Sequence, residues 1–194
     1  MLKTSKICDI ELKIMEILLK QDNVVIAIDG MCGSGKTTLA NKLKGKYSAN
    51  LIHTDDFYLP KQLRSEERLE EAGENIGYER LGAEVIDHLK DVYFQYRKYN
   101  CQTDEFSSFV EIEKKGIIII EGSYSLNPHF GKYYDLAIFV ETSEDEQYDR
   151  ILKREGNVRI KNFISKWIPL ENKYFEDLDI KNKVDIIYST SSLH

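Results

Sequence analysis

Nine consecutive residues, Gly30-Met31-Cys32-Gly33-Ser34-Gly35-Lys36-Thr37-Thr38, carry the first recognisable chemistry in the chain. They fill every fixed position of G-x-x-x-x-G-K-[ST], a spacing that lets many weak donors converge on one anion. The glycines allow the backbone to curl so that successive N–H groups point inward. A helix starting there adds the positive end of its dipole, Lys36 adds a mobile cation, and the Thr37 hydroxyl can ligate Mg²⁺. The plain alternative is a glycine-rich turn that happens to contain a lysine. The flanks oppose it: Val24 to Asp29 is a short β-branched apolar run, and Leu39, Ala40 and Leu43 recur at helical spacing. A nucleoside triphosphate is the expected ligand.

Two acids stand where such a ligand would need them. Asp55-Asp56 follows Leu51-Ile52-His53-Thr54, a short apolar segment read as a strand. A carboxylate at the carboxyl end of a parallel strand faces the ligand crevice, where it can take a proton from a hydroxyl or hold Mg²⁺. An Asp-Asp pair also caps helices and makes turns, and that reading stands beside the first. Glu121 ends Ile117-Ile118-Ile119-Ile120, a strand apolar on both faces, and Gly122 follows it. An acid at that exit suits a metal-binding position beside the phosphate loop. Downstream, Arg150, Lys153, Arg154, Arg159 and Lys161 surround a Gly156-Asn157 break. Such a segment can close over transferring phosphates as a lid, or can be a solvated basic helix end.

The remaining elements follow from periodicity. Residues 4–20 read as an amphipathic helix on Ile7, Ile10, Ile14, Ile17 and Leu18; acidic Asp9, Glu11 and Glu16 favour packing over membrane binding. Residues 61–92 are spaced for two surface helices with a loop at 73–80 between them. Residues 93–112, with Tyr93, Phe94, Tyr96, Tyr99, Phe106 and Phe109, predict a hairpin whose aromatics pack in the core or stack on a base. Leu136 to Val140 is a further buried strand and a helix follows from about Ser143 to Arg154. Trp167-Ile168-Pro169-Leu170 predicts a helix-to-helix corner, and Val184 to Tyr188 a last strand. Asn182-Lys183-Val184-Asp185 spells the guanine-reading pattern N-K-x-D but enters an apolar run instead of leaving one, so a GTPase switch is excluded.

Composition narrows the class. The chain has 194 residues, 42% hydrophobic and 31% charged, which suits one folded unit. Its net charge of −6 argues against nucleic acid as a main partner. Cys8, Cys32 and Cys101 are scattered without metal-ligand spacing, consistent with a reducing cytoplasm. No apolar run approaches the ~18 residues of a membrane span.

With Gly30 to Thr38, Asp55-Asp56-Phe57-Tyr58, Glu121-Gly122 and the basic segment in place, the chain resembles the uridine kinase-like family of phosphate-loop kinases. That group also includes nicotinamide riboside, pantothenate and phosphoribulose kinases. The likeness runs from about Val24 to Tyr188. It is similar above all to bacterial members labelled uridine kinase, through Gly73 to Leu81, Glu121 to Ser125 and Trp167 to Glu171.

The resemblance implies an α/β, P-loop NTPase three-layer sandwich: a parallel five-stranded sheet flanked by helices, with a hairpin flap and a lid. One kinase domain would span 1–194, with an N-terminal helix at 1–21, acceptor-binding helices and flap at 61–112, and the lid at 150–168. ATP and Mg²⁺ are the implied cofactors. Gly30, Gly33, Ser34, Gly35, Lys36, Thr37, Thr38, Arg150 and Arg154 would bind ATP. Catalysis would fall to Asp55, Lys36 and Arg154, and metal binding to Thr37, Glu121 and Asp55. Asp55, Tyr58, Tyr78, Glu79, Tyr96 and Arg159 would meet a small-molecule alcohol, with a nucleoside 5′-hydroxyl the first expectation. Other alcohols, such as nicotinamide riboside, pantothenate or a sugar phosphate, and a non-catalytic ATP-binding module, are the alternatives. Those kinases use a hairpin tyrosine and histidine on the pyrimidine; here Tyr96 stands for the tyrosine, and Tyr99, Asn100 and Cys101 offer no histidine. The family often forms homo-oligomers, but no apolar seam in this sequence requires one; neither nucleic acid nor a membrane is an expected partner.

Overall fold

A computed structural model describes residues 1–101, 103–113 and 116–191, apart from the side chain of Leu69. Six parallel strands form its central sheet: β1 (Leu2–Thr4), β2 (Val24–Gly30), β3 (Asn50–His53), β6 (Ile117–Glu121), β7 (Leu136–Glu141) and β8 (Ile186–Ser189), in the order β1-β8-β7-β2-β6-β3. The sequence predicts five strands in this sheet. The sixth is β1, which the helical reading of residues 4–20 partly absorbed. Leu2 to Thr4 pair with Ile186 to Tyr188, and the helix α1 (Ile7–Leu18) starts only after an extended Lys6. Three residues at a sheet edge are too few to show a period of two.

Alternation along the inner strands sorts the core into two layers. Ile26, Ile28, Ile119 and Ile138 face α1 and the helix α2 (Lys36–Tyr47), where Ile10, Ile14, Leu39 and Leu43 are buried. Ala27, Ile118, Ile120 and Phe139 face the other way, toward Tyr174 and Phe175 of α6 (Ile168–Asp177) and toward the hairpin. Strands buried on both faces read as continuous apolar runs, which is why Ile117 to Ile120 and Leu136 to Val140 were so legible. Among the described residues no helix is long and apolar enough to cross a membrane.

Residues 61–92 hold the short helices α3 (Glu66–Glu70) and α4 (Tyr78–Glu84), with 3₁₀ turns before and after them. The predicted loop is therefore shorter than 73–80, because Tyr78 to Arg80 already form the first turn of α4. The predicted hairpin is present as β4 (Tyr93–Asn100) and β5 (Glu105–Glu113), antiparallel with a register shift between Arg97 and Tyr99. From Glu144 the chain runs through α5 (Glu144–Asn162) into a π turn at Phe163–Trp167 and on into α6. One expectation holds here and one changes. Gly156 (φ 75°, ψ 174°) is non-helical and divides α5 into two helical segments, as the Gly156-Asn157 break predicts, whereas the corner at Trp167 is a helical π turn. Pro169 lies in the first turn of α6, where its missing N–H leaves a widened turn in place of a break.

Candidate active site

Register brings the chemistry together. Ile28 of β2 and His53 of β3 both sit opposite Glu121 of β6, and Gly30 sits opposite Val140 of β7. The phosphate loop, the Asp55 turn and Glu121 therefore emerge at one edge of the sheet, as parallel strands require of a ligand crevice. They open on a cavity of about 800 Å³.

The loop itself is held from several sides. Gly33 and Gly35 adopt left-handed φ values of 72° and 99°, the conformation that turns successive N–H groups to one side. Lys36, 8% exposed, donates to the carbonyls of Gly30 (2.7 Å) and Met31 (3.0 Å). Glu171, on α6, accepts from the Cys32 amide (2.7 Å) and from Ser123 Oγ (2.7 Å). Ser123 Oγ in turn accepts from Lys36 Nζ (3.3 Å), and Gln147 Nε2 donates to the Cys32 carbonyl (2.9 Å). Burial, then the Glu171 charge, pushes the Cys32 thiol far up, so it is an inert packing group. Arg150 reaches the carbonyls of Gly33 and Ser34 and both oxygens of Thr190.

Asp29 completes this frame. Fully buried at the end of β2, it accepts from the amides of Gly30, Tyr124 and Leu126 and from the Tyr174 hydroxyl at 2.8 Å. It thereby ties the turn after Glu121 to the root of the phosphate loop. Desolvation raises its carboxyl to about 6.

On the acid side, Thr37 Oγ1 donates to Glu121 Oε1 (3.1 Å), and His53 Nδ1 lies 2.5 Å from the same oxygen. That hydrogen bond raises the His53 imidazole against the opposing effect of burial. Asp55 reaches the cavity surface yet is hemmed in by protein. Loss of solvation raises its carboxyl, while Lys36 opposes the rise and Tyr58 shares a hydrogen bond with it. A carboxylate moved up from its ordinary range is better matched to proton abstraction near neutral pH.

Of the residues expected from the sequence, Gly33, Gly35, Lys36, Thr37, Thr38, Asp55, Tyr58, Glu121, Arg150 and Arg154 line this cavity. Gly30 supports it through its carbonyl. Ser34 lies on a smaller cavity of about 450 Å³ beside it, with Thr190 and Ser191. Four others are elsewhere. Tyr96 is 1% exposed, stacked on Phe57 at 5.3 Å, with its hydroxyl on Asp56. Tyr78 stacks on His129 at 4.0 Å, and Glu79 pairs with Arg68, in a surface network outside the cavity. Arg159 is exposed and pairs with Glu155. Sequence reasoning missed Glu171, Ser123, Arg64, Asn75, Phe163 and Trp167, all on the cavity wall. Asn75, Ser123, Trp167 and Glu171 lie in stretches that carry the family resemblance, but no spacing marks them as site residues; only Phe163 and Trp167 share an element, the π turn. Within N-K-x-D, Asp185 accepts from the Ala137 amide and the Asn182 amide donates to Asp179.

The residues present fit MgATP. A glycine nest, a buried lysine held by carbonyls it can exchange for phosphate oxygens, and a hydroxyl–carboxylate pair are what a phosphate chain and a hard cation need. Among the described residues no three His, Cys, Asp or Glu side chains could hold a metal unaided. Mg²⁺ does not require that, since it keeps water and phosphate oxygens as ligands.

Sheet order, loop and crevice together define an α/β phosphate-loop nucleotide-binding fold. Within that class the chain belongs to the AAA domain family, which matches residues 26–179. It is 26% identical over 183 residues to a uridine kinase of Ureaplasma parvum, covering 86% of this chain and 88% of that one. With a uridine kinase of Bacillus subtilis it shares 29% identity over 189 residues, 84% of each chain. The structure of a possible uridine kinase from Bacillus stearothermophilus superposes with a TM-score of 0.70 at 23% identity, covering 94% of this chain and 98% of that one. The resemblance to uridine kinase-like phosphate-loop kinases, phosphotransferases with an alcohol as acceptor, therefore holds across nearly the whole chain.

Proposed function

We propose that the protein is an ATP- and Mg²⁺-dependent kinase that phosphorylates the hydroxyl of a small molecule. The observation that carries this is one cavity wall holding the phosphate loop, the Thr37–Glu121 pair, Asp55, and Arg150 and Arg154. Bound MgATP would supply the phosphoryl group and the charge that organises its oxygens. In this reading Gly33, Gly35, Lys36, Thr37 and Thr38 hold the phosphates, and Thr37 and Glu121 hold the metal. Asp55 orients the acceptor hydroxyl and takes its proton, while Arg154 offsets charge on the transferring group. Phe163 and Trp167, on the helical arm that carries Arg154, help exclude water. A reducing cytoplasm suits the three free cysteines.

The relatives' names favour a nucleoside 5′-hydroxyl as acceptor. A second reading, another alcohol, is favoured by Tyr78, Glu79 and Tyr96 lying outside the cavity. An ADP-release assay over nucleosides and other small alcohols, with and without Mg²⁺, tests the proposal. Mg²⁺-dependent ADP release that rises with one acceptor supports it. ATP binding without turnover, unchanged by Asp55→Asn, would indicate a nucleotide-binding module instead.

A further inference from the structure

Part of the cavity wall has polar groups that neither the phosphate loop nor the proposed chemistry uses. Arg64 follows a 3₁₀ turn at Lys61–Leu63 and projects onto the cavity beside Cys101 of the hairpin turn. Its Nε donates to the Leu59 carbonyl (2.7 Å) and one Nη to Cys101 Sγ (3.5 Å). Leu59 is buried, so the first bond fixes the guanidinium against the protein body. A guanidinium has five N–H donors in a planar fork, and the others find no partner among the described residues.

Its counter-charge is also missing. Arg150 pairs with Glu146 (3.0 Å), Arg154 with Glu155 (2.8 Å), and Lys36 rests on two carbonyls. The carboxylates on the same wall are engaged elsewhere: Glu121 by His53 and Thr37, Asp55 by Tyr58, Glu155 by Arg154, and Glu171 by Cys32 and Ser123. Among the described residues none comes within ion-pair distance of Arg64. A fixed guanidinium with open donors and no protein counter-ion is placed to take an anionic group from a ligand.

Asn75 gives the second, independent observation. It is 5% exposed and lines the same cavity; its side chain shares a hydrogen bond with Tyr124, and its Oδ1 has no hydrogen-bond partner. Buried acceptors are nearly always satisfied, so an orphan on a cavity wall points to a donor carried by a ligand.

We propose that Arg64 and Asn75 select the acceptor, and that it is an alcohol bearing a second, anionic group. Arg64 holds the carboxylate or phosphate with its idle donors, and Asn75 Oδ1 receives a hydroxyl. Planar bidentate recognition of such anions is what guanidinium does better than ammonium. This rests on the kinase reading above and names its substrate class. At the reacting hydroxyl one O–P bond forms, ADP leaves with the electron pair of the broken P–O bond, and the hydroxyl proton passes to Asp55.

Matched pairs test it: glycerate against glycerol, ribose 5-phosphate against ribose, pantothenate against pantothenol, with uridine as a neutral nucleoside. The expected result is ADP release with an anionic member and a kcat/KM about ten- to hundredfold above its neutral counterpart, the loss of charged hydrogen bonds setting that scale. Arg64→Gln should raise KM for the anionic acceptor by a similar factor, and Arg64→Lys, which keeps the charge but loses the fork, should fall between. Preference for uridine or the neutral members, or wild-type KM in both variants, overturns the inference and leaves the kinase reading standing. No ADP release with any acceptor overturns both.

Discussion

The two ends of the cavity are built differently. At the phosphate end, Lys36, Ser123, Glu171, Gln147 and Arg150 are already bonded to one another or to the loop backbone. At the acceptor end, Arg64 holds donors in reserve and Asn75 Oδ1 is unpartnered. A triphosphate presents the same oxygens every time, so its cradle can be pre-organised at little cost in generality. Acceptor recognition has to wait for groups that the acceptor brings, and an unsatisfied polar wall is where selectivity is strongest. Breaking the phosphate end should therefore cost turnover with every acceptor, whereas changes at the acceptor end should act through KM for one.

The largest loss is expected from Asp55→Asn, which retains shape and removes the base. Turnover should fall by about 10²- to 10⁴-fold, the range for a positioned general base. Single-turnover ADP release at saturating ATP measures it, and a loss of less than tenfold would remove Asp55 from the proton path. Next comes Lys36→Met. Losing one pre-organised donor from a site of this kind should lower kcat by about 10²- to 10³-fold for all acceptors alike. Acceptor-dependent loss would contradict the division between the two ends.

Those two residues were legible in the sequence because each belongs to a contiguous pattern. Gly30 to Thr38 is a single turn of chain, and Asp55 and Glu121 each end an apolar run whose length announces a strand. Glu171 had no such signal: it reaches the Cys32 amide from 139 positions away, and only the packing of α6 on the sheet brings it there. Arg64 and Asn75 sat in polar surroundings that read as surface. Tyr96 misled for the opposite reason. An aromatic in a hairpin near an active site has the same spacing whether it faces a ligand or, as here, Phe57 and the core. The edge strand β1 was lost because three residues cannot establish a period, while the inner strands were unmistakable.

Asp29 sharpens the comparison through pH. Its carboxyl titrates near 6 in the folded protein, against 3.8 for the ordinary group, because burial penalises the charge. Between these values the unfolded chain releases the proton and the folded chain keeps it. Asp29 therefore makes the protein less stable as pH rises from about 4 to 6, with no further change above that. The shift corresponds to a decline on the order of 3 kcal/mol. Urea unfolding of wild type and Asp29→Asn across pH 4 to 8 should show a steeper decline in wild type, since Asp55 and His53 contribute to both; parallel curves would mean that the Asp29 carboxyl is not perturbed.

Glu171→Ala is expected to act more mildly, leaving the buried Cys32 amide without its acceptor at a cost of about 1 to 3 kcal/mol. KM for ATP should rise because the loop is less well held, while the acceptor's KM stays put. Glu171→Gln still offers an oxygen to Cys32 and should recover most of the loss. If Gln is as poor as Ala, the charge matters to the reaction and not merely the loop's position.

Tyr96→Phe should have the smallest effect and is the most direct probe of where the acceptor end stops. The hydroxyl makes one bond of 3.3 Å to Asp56 Oδ2, and Lys98 Nζ lies 3.2 Å from that same oxygen. Removing it strands no buried charge, so the cost should be about 0.5 to 1.5 kcal/mol of stability. The ring, stacked on Phe57, stays in place. Because the hydroxyl lies off the cavity, KM for every acceptor should be unchanged within twofold, in contrast to Arg64→Gln. A tenfold rise for a nucleoside would mean that the hairpin swings inward on binding and that Tyr96 belongs to the acceptor end after all.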